Sequence, residues 1–240
     1  MAVNISGGGN LTCLANEKNL FIKQSGKGCC RNCCGCDAAV EFTIATIGNK
    51  NVDIMNAKED SSCIVRLCCP GHHPFTINLN AGATGGKTAV SYHRPMKCLM
   101  SPLKCCCYQQ LEVTNPATKE AYGIIKEDFW ICIPQLSVYN DSKEKEYVIH
   151  PPTICGIFPS CCAEGCGCCR FPFYVYDATK TSDKVARICK VYSGAVGELM
   201  DAHKFELEFP NVSSPEQKAR LVGACFLINE LFFRSADIKK

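Results

Sequence analysis

A chain of 240 residues with 47% hydrophobic side chains has enough apolar material for a packed core, which excludes wholesale disorder. Its length suits one large domain or two small ones. A formal charge of +3 is too mild for a nucleic-acid footprint, so nucleic acid is not an expected partner. The lack of any run of about 20 apolar residues excludes an ordinary polytopic membrane protein.

Residues 1–19 are polar, carry Gly7-Gly8-Gly9 and lack the apolar stretch of a signal peptide. They read as a flexible tail before one domain over residues 20–240. From Leu20 on, short segments alternate apolar and polar residues between Gly, Pro and Asn clusters. Val40, Phe42 and Ile44 form one such set, Phe75, Ile77 and Leu79 the next, then Leu111 and Val113 before a turn at Asn115-Pro116. Phe173 and Val175 follow, then Phe205, Leu207 and Phe209, stopped by Pro210. Many short strands with regular turn signals predict a sandwich or a barrel. Arg187-Ile188-Cys189-Lys190 reads as a partly buried strand with two basic residues.

The last element is a helix, predicted over 215–234. Ser214-Pro215-Glu216-Gln217 has the spacing of a capping box, with proline at the first helical position. Leu221, Val222, Phe226, Leu227 and Ile228 belong to a stretch that is apolar on every side, and Phe232 and Phe233 extend it. From Leu221 to Phe233 the rod spans about 20 Å at about 1.5 Å per residue, against about 30 Å for a bilayer core. Glu230 would add a cost of about 2 to 3 kcal/mol at depth. Its length favours enclosure inside a barrel; insertion into a tilted or thinned membrane geometry is the alternative.

The 22 cysteines recur in runs: Cys29-Cys30, Cys33-Cys34, Cys68-Cys69, Cys105-Cys106-Cys107, Cys161-Cys162 and Cys168-Cys169. Bridging neighbours strains the backbone and closes almost no loop, so reduced thiols facing the cytosol are expected. Reduced thiols serve as sites for thioester-linked fatty acid, as metal ligands or as small apolar filler. Filler is the expected role of Cys13, Cys132, Cys155, Cys189 and Cys225. Cys30, Cys33 and Cys36 have the spacing of a zinc knuckle, and His72-His73 lies near Cys68-Cys69, but a tetrahedral site needs two such pairs brought together. The scattered histidines give no nucleophile–base spacing, so covalent catalysis is not expected.

Gly223-Ala224-Cys225-Phe226-Leu227-Ile228 followed by Leu231-Phe232-Phe233 resembles the C-terminal helix of the phospholipid scramblases. Upstream, Cys63, Arg66, Cys68-Cys69 and Pro74-Phe75-Thr76 match that family's cysteine-rich segment in order. Arg94-Pro95-Met96-Lys97-Cys98 with Cys105-Cys106-Cys107, then Cys166-Gly167-Cys168-Cys169, match as well. The proline-rich N-terminal extension of many members has no counterpart here. For the fold, the resemblance implies a mainly β, tubby-like closed antiparallel barrel of about 12 strands around a central hydrophobic C-terminal α-helix.

For function, it implies ATP-independent, bidirectional movement of phospholipids between leaflets, with calcium stimulation, by a chain held at the cytoplasmic face of plasma or endomembranes through covalent palmitate. Cys105, Cys106, Cys107 and Cys98 are the palmitoyl candidates, beside Lys97 and Lys104, which would approach an anionic leaflet. Two or more acyl chains are needed for stable anchoring. The calcium segment that the resemblance implies begins at Asp201, and of its ligand positions only Asp201 fits an EF-hand; Phe205 and Phe209 occupy others, and Glu206 stands where glycine is required. Glu206 and Glu208 share one polar strand face and could hold calcium weakly. Because one short helix cannot build a polar furrow across a bilayer, transport needs homo-oligomers or membrane-protein partners. The alternative is a palmitoylated adaptor or lipid-binding barrel with no transport activity of its own.

Overall fold

Period-two segments become strands here because each presents one face to a common interior. The computed structural model describes residues 11–25, 39–68, 73–83, 86–97, 107–131, 133–152, 170–180, 183–194 and 202–234. Twelve strands follow in chain order: β1 Asn19–Gln24, β2 Glu41–Thr46, β3 Asn49–Asp60, β4 Phe75–Ala81, β5 Thr88–Arg94, β6 Gln110–Thr114, β7 Ala121–Glu127, β8 Leu136–Tyr139, β9 Lys145–His150, β10 Arg170–Asp177, β11 Lys184–Val191 and β12 Lys204–Glu208. Each pairs antiparallel with its chain neighbour, and β1 pairs with β12 to close the barrel. Closure leaves no unpaired sheet edge.

Register follows the apolar pattern. Ile22 of β1 stands opposite Ile44 on one side and Phe205 on the other, and Tyr92 of β5 stands between Ile77 and Val113. All six are buried. A one-residue slip would turn each of these side chains to solvent, so burial of one face specifies the pairing.

The interior is filled by the C-terminal helix. Here α1 is Thr12–Ala15, α2 is Cys63–Cys68 and α3 is Pro215–Ile228, followed by a π-helical segment over Asn229–Arg234. The predicted helix therefore covers its expected span but widens at its end. At the junction before that wider segment the Asn229 N–H is shared between the Cys225 and Phe226 carbonyls, four and three residues back. Every residue of α3 from Lys218 to Ile228 is buried, as the all-round apolar character of Leu221 to Ile228 requires, while Lys218 and Arg220 are buried with polar partners. Phe226 packs on Phe42 at 4.6 Å between ring centroids and edge-on to Tyr92 at 5.3 Å. Gly223 lets the helix come this close: a Cβ there would lie 2.9 Å from the Tyr92 ring and 3.1 Å from Ile125.

One expectation is corrected. The segment read as a flexible tail over residues 1–19 includes α1, whose Leu14 is fully buried, and Leu11 is buried beside it. Both side chains join the hydrophobic core, and Lys218 of α3 holds the backbone there by donating to the Leu14 and Ala15 carbonyls at 3.1 and 2.7 Å. Packing of the described residues thus already includes Leu11 and Leu14, ahead of Leu20.

Because the strands alternate in direction, the connections divide between two ends. At the hairpin end, short turns join β2–β3, β4–β5, β6–β7, β8–β9 and β10–β11. At the loop end, longer connections span residues 25–40, 61–74, 95–109, 128–135, 151–169 and 192–203. Helix α3 starts at the hairpin end and finishes at the loop end, where Glu230 meets Arg94, the last residue of β5.

Candidate functional site: the helix and the loop end of the barrel

Ser214 caps α3 by accepting from the Gln217 N–H at 3.2 Å, and the Gln217 side chain accepts from the Ser214 N–H at 2.8 Å. The capping box predicted from sequence is therefore formed. At this end Arg220 donates to Glu146 Oε2 through Nε at 3.0 Å and Nη2 at 2.7 Å, and also bonds the Tyr122 carbonyl. At the loop end Glu230 accepts from Arg94 Nη1 at 2.9 Å. The remaining Arg94 nitrogens Nε and Nη2 donate to Gln109 Oε1 at 3.0 and 2.8 Å. Asn229 donates to Gln24 at 2.7 Å. The helix is held by polar side chains at both ends and by apolar packing between, which fixes its depth and its rotation. Among the described residues no helix is long and apolar enough to cross a membrane.

Polar residues at the strand ends also tie down the loop end. Glu59 accepts from the Val40 N–H at 3.0 Å and from Ser61 at 2.5 Å, and it also meets His73 Nε2 at 2.9 Å. Glu127 accepts from the Gln109 N–H at 3.1 Å and from the Trp130 indole at 3.0 Å. Each carboxylate is buried, so its hydrogen bonds offset the desolvation that burial imposes.

Of the four palmitoyl candidates, Cys107 is described. It is half-buried, and its carbonyl accepts from the Gln109 side chain at 3.1 Å. Nearby, Lys97 donates to the Tyr108 carbonyl and to Gln110, both at 2.9 Å. Burial, assisted by Lys126, lowers the Lys97 ammonium below its ordinary range. Cys98, Cys105 and Cys106 lie outside the described residues, as do Asp201 and the knuckle cysteines Cys30, Cys33 and Cys36. Among the other thiols, Cys189 and Cys225 are buried, Cys13 is half-buried, and Cys63 and Cys68 are exposed.

Glu206 and Glu208 do share the outer face of β12, but cations already hold them. Lys50 and Arg170 bond the two oxygens of Glu206 at 2.8 and 2.6 Å, and Arg187 bonds Glu208 at 2.5 Å. Burial would raise the Glu206 carboxyl, but the hydrogen bonds from Lys50 and Arg170 outweigh it and lower it below its ordinary value. Calcium takes six to eight oxygen ligands, and a carboxylate with both oxygens on cations does not fit that set. Among the described residues no three His, Cys, Asp or Glu side chains gather as metal ligands.

The residues that sequence reasoning missed are the anchors. Arg94 stood in a recognisable motif, yet nothing near it in the chain marks Glu230, 136 positions away, as its partner. An ionisable residue inside an otherwise apolar helix was the available signal, because a buried charge requires a counter-charge.

The scramblase family model matches residues 9–235. Over 181 residues the chain is 29% identical to human phospholipid scramblase 1, covering 75% of this chain and 52% of that protein. Against bovine phospholipid scramblase 2 it is 30% identical, covering 74% and 56%. Human phospholipid scramblase family member 5 is 26% identical, covering 74% and 60%. The chain therefore belongs to the scramblase family, and it spans about half the length of the curated relatives named first. No solved structure matches it.

Proposed function

We propose that this chain acts at membranes as a phospholipid scramblase-like protein, moving lipid between leaflets without ATP and without covalent catalysis. It is anchored at the cytoplasmic face by palmitate on cysteines of the loop end. The observation that carries the reading is topological. By position in the sequence, 19 of the 22 cysteines belong to connections at the loop end, in five of its six connections. The exceptions are Cys13, Cys189 and Cys225. Acyl chains on any two of these connections pull the same end toward the bilayer, and two chains give stable anchoring where one does not. Family membership supports phospholipid as the cargo. Calcium stimulation is not routed through Glu206, whose two carboxylate oxygens are both held by cations.

A second reading, an acylated adaptor without transport of its own, is favoured by the enclosed helix. With α3 held inside the barrel, the described residues of one chain offer no polar furrow across a bilayer core of about 30 Å. In the scramblase reading, assembled copies or a membrane-protein partner supply that path. Purified acylated chain reconstituted into vesicles with fluorescent phospholipid separates the readings. Scrambling predicts that outer-leaflet reductant bleaches more than half of the dye. Bleaching that stops at the outer leaflet, with or without calcium, leaves the adaptor.

A further inference from the structure

Seven large hydrophobic side chains are exposed among the described residues, and they are not scattered. Ile64, Met96, Phe129, Ile131 and Tyr192 all lie in loop-end connections, in four of the six. Their exposures run from 45% for Tyr192 to 79% for Ile131. Of the remaining two, Val52 is on the wall in β3 and Val212 is at the hairpin end. A single exposed apolar side chain needs no explanation, but several gathered at one end of a molecule mark a contact surface.

We infer that this rim is itself a lipid-binding surface: the apolar tips enter the interfacial region of a bilayer and stand the barrel with its loop end on the membrane. The inference deepens the membrane reading above and rests on it, but it does not require acylation. Three observations favour lipid over a protein partner or a second copy. The tips come from separate connections around a closed rim, which suits a planar, deformable partner. Trp130 lies between Phe129 and Ile131, and Tyr192 is itself a tip; these two residue types favour the membrane–water interface, where an apolar ring and a polar handle are both accommodated. The same connections hold most of the thiols that would carry acyl chains. Charges at the loop ends of the strands are of both signs, with Lys97 following β5, Lys126 within β7, Asp60 ending β3 and Asp128 just after β7, so adhesion comes from apolar burial and tolerates salt and uncharged lipid.

The chain supplies its own probe, since Trp130 is the single tryptophan. Full-length chain purified from bacteria in reducing buffer, and so without acyl groups, is floated with vesicles of phosphatidylcholine alone and of phosphatidylcholine mixed with phosphatidylserine. The expected result is flotation with both, undiminished at high salt, and quenching of Trp130 emission by phosphatidylcholine brominated on its acyl chains. The F129D/I131D double variant is expected to lower vesicle partitioning about tenfold or more. Val212→Asp, at the opposite end, is expected to leave it unchanged. Both tips are solvent-exposed, so unchanged thermal melting verifies that the double variant is folded. Failure to float, unquenched Trp130 on floated protein, equal partitioning of double variant and wild type, or burial of Trp130 by self-association without lipid would each overturn the inference. Loss of palmitate or of scrambling in the reconstitution above would leave these results standing, so the two readings fail separately.

Discussion

Arg94 and Glu230 meet at 2.9 Å inside the barrel, with side chains only 1% and 4% exposed. One closes strand β5 and the other lies in the π-helical segment that ends the central helix. Removing one partner of a buried pair leaves the other charge desolvated, at about 3 to 5 kcal/mol. Glu230→Ala should therefore lower the unfolding free energy by that order in urea titration. Replacing both residues by apolar ones of similar volume should recover much of the loss. Equal damage from the single and double changes would mean that Gln109, not Glu230, is the important partner of Arg94.

Gly223→Ala tests whether the helix and β5 touch as closely as described. Alanine gains about 1 kcal/mol of helix propensity over glycine, but its Cβ would sit 2.9 Å from the Tyr92 ring. Tyr92 cannot swing away freely, because its hydroxyl donates to the Ala219 carbonyl at 3.0 Å. Overpacking costs about 1 to 3 kcal/mol, so the net change should be destabilising and visible as a lower melting temperature. A raised melting temperature would place the helix farther from β5.

Glu206 supplies an acid-side pH dependence. Its carboxyl is held below its ordinary 4.5 by Lys50 and Arg170 despite burial, so the unfolded chain binds the proton more readily than the folded one. The stabilisation is complete above about pH 4.5 and is lost as pH falls through the lower folded value. Glu206→Gln should flatten that part of the stability–pH curve. The same variant should leave any calcium binding of the chain unchanged by calorimetric titration, because the carboxylate is engaged by cations.

Thiol chemistry should divide by position. Cys63 and Cys68 are exposed and should alkylate at once in the native protein. Burial pushes the Cys225 thiol far up and encloses it, so it should resist until the barrel unfolds. Mass spectrometry after brief iodoacetamide treatment reads both. In cells, hydroxylamine-labile acyl groups should map to the loop-end cysteines and be absent from Cys189 and Cys225.

Strands such as Phe75–Ala81 and Lys204–Glu208 were legible because apolar and polar residues alternate along both; burial follows that alternation over most of Phe75–Ala81, whereas in Lys204–Glu208 Glu206 is buried between Phe205 and Leu207. Strand β3 was not legible: its first five residues are exposed on both faces, its pairing with β2 is interrupted by register shifts, and its inward set of Met55, Ala57 and Glu59 mixes apolar and charged residues. The final helix was legible to its capping box, since a rod apolar on all sides and too short for a bilayer has to be enclosed by protein. Its widened end and the docking of α1 onto Lys218 were not, as both depend on distant partners.

What the sequence by itself determined is the local chemistry: alternating strands, a capped apolar helix, and cysteines that recur in runs. Only the tertiary structure decided where that chemistry lies. Apolar period reports which face of an element is buried but carries no information about which end of a barrel a connection occupies. That assignment follows from the closed, alternating course of twelve strands, which brings exposed apolar tips from distant parts of the chain to the same end as the connections in whose sequence most cysteines fall.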